Sequence, residues 1–354
     1  MIIIYMKAVL LAAGKSTRTY PLTTNIPKPL LPIIGKEIIS YTIDGLSDEI
    51  VEWYIILGFE GEKVQEYLKE KYPALILHFI HQKGMRGTGE ALALLSEELK
   101  GESFIVLNGD DLYFPEDVKG LMKSDTKYGV LAAHAEDPSR FGVFRIQGET
   151  LIELIEKPAE YISNLVNVGV YKLHGDIFKY ELTLSPRGEY EIVEYINRLL
   201  RDGEEVRVEK MEGYWLPITY PWDILKAQRH LLEKGDVRNI IPVSAELHST
   251  AYIGQNVVIG EHCVIGENVE LEDVCLFDYV KIDANSRIHG SVIAKNVHIT
   301  ETTIVDGASS GFIMLPIGGK EHVSINPEYK GIFTESHLEV SGFYVEPTFI
   351  IKKV

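Results

Sequence analysis

From Ile253 onward an apolar residue followed by glycine recurs at a spacing of six: Ile253-Gly254, Ile259-Gly260 and Ile265-Gly266. Leu271 and Phe277 continue that register, and Ile282, Ile288 and Val292 follow with the register slipped. A hexapeptide period is the mark of a left-handed parallel β-helix, in which each repeat forms one face of a triangular coil and apolar side chains fill the axis. It predicts such a domain over residues 235–310, about sixty residues of repeat or roughly three coils. The charged stretch Glu233–Asn239 before it reads as a linker. Cys263 and Cys275, the two cysteines of the chain, are two hexads apart, so they fall on different faces and a bridge between them is disfavoured. Residues 311–354 lose the repeat and alternate apolar with polar residues, as in GFIML, HVSI and FYVEPTFIIKKV. This tail reads as strands that cap the open end of the coil or pair across subunits.

Residues 1–234 follow another rhythm. Short apolar runs (Ala8–Ala12, Val51–Leu57, Leu75–Ile80, Phe104–Leu107, Val130–Ala135, Val166–Leu173) alternate with helical spacing over Glu37–Leu46, Gly61–Lys71 and Thr88–Leu99. Strand–helix alternation predicts an α/β layer on a mainly parallel sheet. Ligands of such sheets bind beyond the strand C-terminal ends, where Gly14 and Asp110 fall. With 354 residues there is length for two domains. The opening MIIIYM is too short for a signal-peptide core, and no apolar run approaches a membrane span. Two cysteines imply neither a disulfide framework nor a zinc cluster, and the cytoplasm is the expected compartment. A formal charge of -17 argues against nucleic-acid or anionic-membrane partners.

Within this acidic chain one segment is cationic. Residues 1–36 hold Lys7, Lys15, Arg18, Lys28 and Lys36 without a single Asp or Glu. The strand Ala8–Ala12 runs through Ala13 into Gly14, then into LysSerThrArg, and Lys28 stands between Pro27 and Pro29. Glycine at the end of a buried strand lets backbone N–H groups approach phosphate oxygens, and Arg18 and Lys28 supply two cations for a triphosphate. A second strand delivers Asp110 after Gly109. One carboxylate there suits Mg²⁺, which keeps several waters and few protein ligands; Asp111 is the alternative ligand.

The stretch LAAGKSTRTYPLTTNIPKPLL, Leu11 to Leu31, resembles the signature of the sugar-1-phosphate nucleotidylyltransferases, or NDP-sugar pyrophosphorylases. Ser16 stands where that family more often has glycine. The resemblance implies a Rossmann-like mixed sheet followed by the β-helix, with Leu11, Ala12, Ala13, Gly14, Lys28 and Gly109 around the nucleotide. It also places Gln82 on the base and Gly87-Thr88 against the nucleoside. Gln offers a donor and an acceptor to the imide edge of uracil or thymine, a lean toward UTP or dTTP. Phe141-Gly142, Glu156-Lys157-Pro158 and Asn167-Val-Gly-Val-Tyr171 resemble the family's sugar-phosphate motifs. They imply Gly142, Glu156 and Asn167 on the sugar and Lys157 on its phosphate. Ser185–Glu191 matches a segment that reads as structural rather than catalytic.

One departure stands out. Where the family has the acid of W-x-D-x-G-x-P, its second metal ligand, this chain has Pro217 in Trp215-Leu-Pro-Ile-Thr-Tyr-Pro-Trp-Asp223. Either Asp110 holds the metal with water and phosphates, or Asp223 or Asp111 compensates; Asp223 also reads as a cap of the helix after Pro221. The resemblance implies NDP-sugar and pyrophosphate formed from an NTP and glucose 1-phosphate or N-acetylglucosamine 1-phosphate, with Arg18, Lys28 and Asp110 catalytic. Two other readings stand beside it. One adds acetyl-CoA-dependent acetyl transfer in the β-helix, with His262, His289 and His298 as candidate bases, although they read better as exposed turn residues of the coil. The other is a non-catalytic regulatory subunit that keeps the fold. β-Helix faces commonly associate, so a homo-oligomer is expected.

Overall fold

The computed structural model describes residues 6–84, 86–305, 312–314, 322–324, 331–344 and 346–352. By its internal contacts the chain forms two compact units. One comprises the residues up to Lys15 together with Ile39–Trp215; the other comprises Ser16–Ile38 together with the chain from Leu216 onward.

The first unit is built on nine strands: β1 (Met6–Ala12), β2 (Ile50–Leu57), β3 (Leu77–His81), β4 (Ser103–Asn108), β5 (Gly129–His134), β6 (Gly142–Gln147), β7 (Thr150–Glu156), β8 (Leu165–His174) and β9 (Arg207–Lys210). Their order in the sheet is β3-β2-β1-β4-β8-β5-β9-β7-β6, and β8 also pairs with β6. Helices include α1 (Ile38–Leu46), α2 (Gly61–Lys71), α3 (Thr88–Ala93), α4 (Pro115–Lys123) and α5 (Ile192–Arg201). Ala8, Val9 and Leu10 of β1 are fully buried, as a strand with neighbours on both edges and cover on both faces requires.

The sheet is mixed, and the mainly parallel expectation holds for β3, β2, β1 and β4 and again for the pair β5 and β9. β8 runs antiparallel to β4, β5 and β6, and β7 antiparallel to β6 and β9. The reason is local: β6 and β7 are joined through Gly148 (φ 63) and Glu149, and an antiparallel partner needs only such a tight turn, whereas a parallel one needs a crossover. The helix expected over Thr88–Leu99 ends at Ala93 and continues as tighter turns.

In the second unit the strands stack in parallel. Asn239 pairs with Val257, Glu246 with Val264 and Tyr252 with Glu270; then Val257 pairs with Val274, Val264 with Lys281 and Glu270 with Arg287. The pairing step therefore falls from eighteen residues to seventeen at the corner holding Asp273 (φ 52). This is the physical origin of the slipped register. Leu276 and Ile293 pack in one cluster with Ile259, Ile265, Leu271, Ile282 and Ile288, while Phe277 and Val292 are buried outside it. Corner residues take left-handed backbone at Asn256, His262 and Asn268, then at Asp273, Tyr279 and Asn285. Asn and Asp tolerate that region best, which matches most of these positions.

The stack also runs further than the periodicity predicts. His298–Ile299 pairs with Glu339–Val340, Ile304–Val305 with Phe343–Tyr344, and Val292 with Phe333, so residues 331–344 resume the coil instead of forming a separate cap. Phe312–Met314 and His322–Ser324 form an antiparallel pair in between. The expected boundary at 310/311 and much of the expected tail lie outside the described residues. Helix α6 (Asp223–Lys234) packs on this stack: buried Gln228 donates its Nε2 to Asn256 O (2.7 Å), Asn256 Oδ1 (3.1 Å) and Val274 O (3.2 Å), and Arg229 pairs with Asp273 at 2.9 Å. Cys263 and Cys275 are both free and buried; Cys275 lies in the strand that pairs with Val257–Ile259, while Cys263 directly precedes the strand Val264–Ile265.

Candidate active site

β1 and β4 end side by side. The N–H of Gly109 donates to Leu11 O at 3.0 Å, and a Cβ on Gly109 would stand 3.2 Å from that of Ala12. A side chain there would need Ala12 to give by a few tenths of an ångström, so the strand ends meet closely. Gly14 differs: its φ is not positive, and a Cβ there would meet nothing within 4 Å among the described residues. Packing alone does not demand glycine at 14. Asp110 is half-buried in the turn after β4, whereas Asp111 is buried and accepts from Trp215 Nε1 at 3.4 Å. Both acids face buried Tyr113, whose phenol is pushed well up by burial, then by Asp111 and Asp110.

The loop after β3 is braced from two sides. Gln82 Nε2 donates to Gly87 O and to Glu90 Oε2, both at 3.0 Å. Because both partners are acceptors, the amide orientation is fixed and its two hydrogens are spent. The expected donor–acceptor pair is therefore not what Gln82 presents; Oε1 alone is left to a ligand. Burial would raise the Glu90 carboxyl, but Arg86 and Gln82 hold it below its ordinary value. Gly87 (φ 117) is forced, since a Cβ would lie 2.3 Å from Tyr190 O. Thr88 Oγ1 accepts from the N–H of Ile192 and so caps α5.

A third group gathers where β6, β7 and β8 meet. Gly142 pairs with Glu156, and a Cβ at Gly142 would lie 3.0 Å from Glu156 Oε2 and 3.3 Å from Asn167 Cβ. Asn167 Oδ1 accepts from Gly169 N at 3.0 Å and its Nδ2 donates to Tyr171 O–H at 2.6 Å, which leaves one amide hydrogen for a hydroxyl. Gly169 (φ 78) packs so closely on Asn108 that a Cβ would lie 2.2 Å from its Nδ2. Lys157 is held at φ 45, directly before Pro158, with its N–H on Phe141 O at 3.0 Å. A left-handed lysine before proline is strained backbone, which is stored at functional sites more than elsewhere.

The sequence reading missed Arg187. Its Nη1 lies 3.2 Å from both Glu156 Oε1 and Glu191 Oε1, so the segment read as structural reaches the sugar-motif acid. Burial raises the Glu156 carboxyl, helped by Glu191 and opposed by Lys157 and Arg187. An arginine four residues before a buried glutamate was visible in the sequence, but not that Glu156 was its second partner. Trp215 also reaches this region through an edge-on contact with Phe141 at 5.0 Å between ring centroids.

The remaining predicted residues belong to the second unit. Ser16 is left-handed (φ 55), which accounts for glycine's prevalence at that place and costs roughly 1 kcal/mol for an L-residue. Its carbonyl accepts from Thr19 N and from the hydroxyls of Thr19 and Thr23 at 2.8–3.3 Å. Exposed Arg18 sits on the one-turn helix Thr17–Thr19, and buried Lys28 opens the one-turn helix Lys28–Leu30. Asp223 Oδ2 accepts from Thr219 N (2.9 Å) and Tyr220 N (2.7 Å), so it ties the turn before α6 rather than the first amides of the helix. Among the described residues, no group of three or more His, Cys, Asp or Glu could hold a metal ion. No helix there is long and apolar enough to cross a membrane.

An α/β unit with a glycine after β1 and acids just after β4 is the arrangement of a nucleotide-handling class of protein. Residues 7–234 match the nucleotidyl transferase family, and residues 237–330 match the GMPPB C-terminal domain. The Bifunctional protein GlmU of Methanococcus maripaludis is 36% identical over 261 residues, 72% of this chain and 61% of that protein. The chain thus spans about three fifths of the length of that relative. A "Bifunctional sugar-1-phosphate nucleotidylyltransferase/acetyltransferase" of Sulfurisphaera tokodaii is 30% identical over 339 residues, 85% of this chain and 82% of that one. Among solved structures, a Bacillus anthracis protein provisionally named glucose-1-phosphate thymidylyltransferase superposes with TM-score 0.57 at 29% identity, over 63% of this chain and 93% of its own. The chain belongs to the nucleotidyl transferase family.

Proposed function

We propose that the protein is a sugar-1-phosphate nucleotidylyltransferase that joins an NTP and a sugar 1-phosphate into an NDP-sugar and pyrophosphate. The observation that carries this reading is the convergence of Gly142, Glu156 and Asn167 on the unit that bears Gly14 and Asp110. A carboxylate and an amide side by side suit vicinal hydroxyls, which donate and accept at once. The relatives' names, which include sugar-1-phosphate nucleotidylyltransferase, support the same class.

A phosphate oxygen of the sugar 1-phosphate attacks the α-phosphorus; the new P–O bond forms as the bond to the β-phosphate oxygen breaks, and pyrophosphate leaves. The nucleophile is already anionic, so alignment and charge neutralisation suffice. Arg18 and Lys28 neutralise the triphosphate, Lys157 holds the sugar phosphate, and the backbone of Leu11–Gly14 and Gly109 lies along the nucleotide. Gln82 Oε1 accepts the imide N–H of uracil or thymine, while Gly87 and Thr88 shape the wall beside the nucleoside. Half-buried Asp110 offers one carboxylate, which suits Mg²⁺ because that ion keeps several waters and few protein ligands; Asp223 is the second candidate by its place in the sequence alone. Bound there, Mg²⁺ would neutralise phosphate charge.

UTP or dTTP, and glucose 1-phosphate or N-acetylglucosamine 1-phosphate, are the proposed substrates. The proposed division is 1–234 for nucleotidyl transfer, a left-handed β-helix from 235 to 310 and a tail from 311, in a cytoplasmic homo-oligomer. Pyrophosphate release over a panel of NTPs and sugar 1-phosphates tests the reading. Arg18→Ala and Asp110→Ala should each lower turnover about 10²-fold or more without unfolding the protein. Unchanged turnover in either variant removes that role.

One observation favours a second reading, acetyl transfer in the C-terminal unit: His298 Nε2 lies 2.7 Å from Asp283 Oδ2, and a carboxylate-oriented imidazole is what a general base needs. Acetyl-CoA consumption with glucosamine 1-phosphate tests it, and none consumed removes it.

A further inference from the structure

The segment that bears Arg18 and Lys28 has little structure of its own. It consists of two one-turn helices and the short hairpin Pro32–Ile33 with Lys36–Glu37. Such a segment cannot by itself hold two cations in fixed places; single 3₁₀ turns and two-residue strands are weakly stable. Its anchors lie within its own unit. Leu22, Leu31 and Ile33 are buried, and the hairpin packs against α6.

Helix α6 is in turn fixed to the C-terminal strands through a run of rings. Tyr220 stacks on Trp222 at 4.8 Å, Trp222 meets Phe333 edge-on at 5.9 Å, and Phe333 meets Phe349 edge-on at 6.0 Å. Phe333 is fully buried on the resumed coil, beside Val292. Two residues further on, Glu335 is buried and accepts from Lys352 N at 2.9 Å. Burial and the Glu335 carboxylate both push the Tyr20 phenol up, which puts loop and coil within electrostatic reach.

We propose that the resumed coil, through Phe333 and Trp222, is a positioning element for the Arg18–Lys28 loop, so that the C-terminal strands act on nucleotidyl transfer. Phe333 is a positioning residue; it touches no substrate. The inference rests on the function proposed above and adds a dependence which that function does not require. It makes a selective demand. In the function proposed above the loop neutralises the triphosphate, and its Arg18 serves the phosphates that leave as pyrophosphate, whereas Gln82, Glu156 and Asn167 serve the base and sugar.

The test runs the reaction backward with the full-length chain, from NDP-sugar and pyrophosphate. In Phe333→Ala the KM for pyrophosphate should rise roughly tenfold or more, with the KM for NDP-sugar changed by less than about twofold. Arg18→Ala should show the same asymmetry, and Phe333→Leu should restore most of it. Should Phe333→Ala not fold, Trp222→Phe should shift the two KM values in the same unequal way at smaller amplitude. Equal shifts in both KM values, or none in a folded variant, overturn the inference. If Arg18→Ala shows the asymmetry and the Phe333 variants do not, the positioning proposal alone fails. Wild-type protein without any reverse reaction removes the proposed function and this inference together.

Discussion

Two glycines of the first unit answer different demands, and alanine separates them. At Gly169 a Cβ meets Asn108 at 2.2 Å in a left-handed backbone, so Gly169→Ala should lose more than about 2 kcal/mol of stability, read by denaturant unfolding. At Gly14 nothing within 4 Å opposes a Cβ. Gly14→Ala should therefore melt like the wild type yet lose turnover, because in the proposed function the methyl group stands where phosphate oxygens approach. Glu156 gives the pH-dependent case. Its folded carboxyl holds a proton more tightly than the unfolded one, so this group's contribution to stability is fullest at acid pH and falls as pH rises through the raised folded value. Glu156→Gln should consequently be no less stable at neutral pH while raising the KM for sugar phosphate; a lower melting temperature there would contradict it. The motif residues themselves were legible in the sequence. What Gln82 could donate was not, because that depends on Gly87 O and Glu90 being within reach.

At the scale of elements, the two loops that the proposed function assigns to the nucleotide and the sugar are joined through α5. Thr88 caps the helix, Glu191 precedes it, and Arg187 ties Glu191 to Glu156. Thr88→Val should cost about 1 kcal/mol through the lost cap, measurable as a lower unfolding midpoint, and Thr88→Ser should recover it. Most elements could be read from apolar periodicity, since Ala8–Ala12 and the Ile-Gly hexads record burial directly. The direction of the strands after β4 could not, because alternation registers which face is buried and not which way the neighbour runs. The coil of seventeen residues was half-legible: the slip was visible at Ile282, but its cause, a corner one residue shorter at Asp273, needs the pairing.

For the whole molecule, the sequence break at 234/235 does not mark where burial stops. Ile224, Leu225, Ala227 and Gln228 of α6 are buried, and Gln228 is spent on carbonyls of the strands that follow. A chain ending at Lys234 leaves that amide and those apolar groups in water. We expect it to be aggregation-prone and to bind a hydrophobic dye, where a 1–234 fragment that unfolds cooperatively would show the opposite.

The backbone leaves the first unit after Lys15, returns at Ile39 and leaves again after Trp215. A gene recombination that joined the first 234 codons to some other C-terminal partner would transplant a helix without its receiving surface. The two halves of this chain should accordingly be inherited as a pair, with substitutions beneath α6 tolerated only when matched from the opposite side.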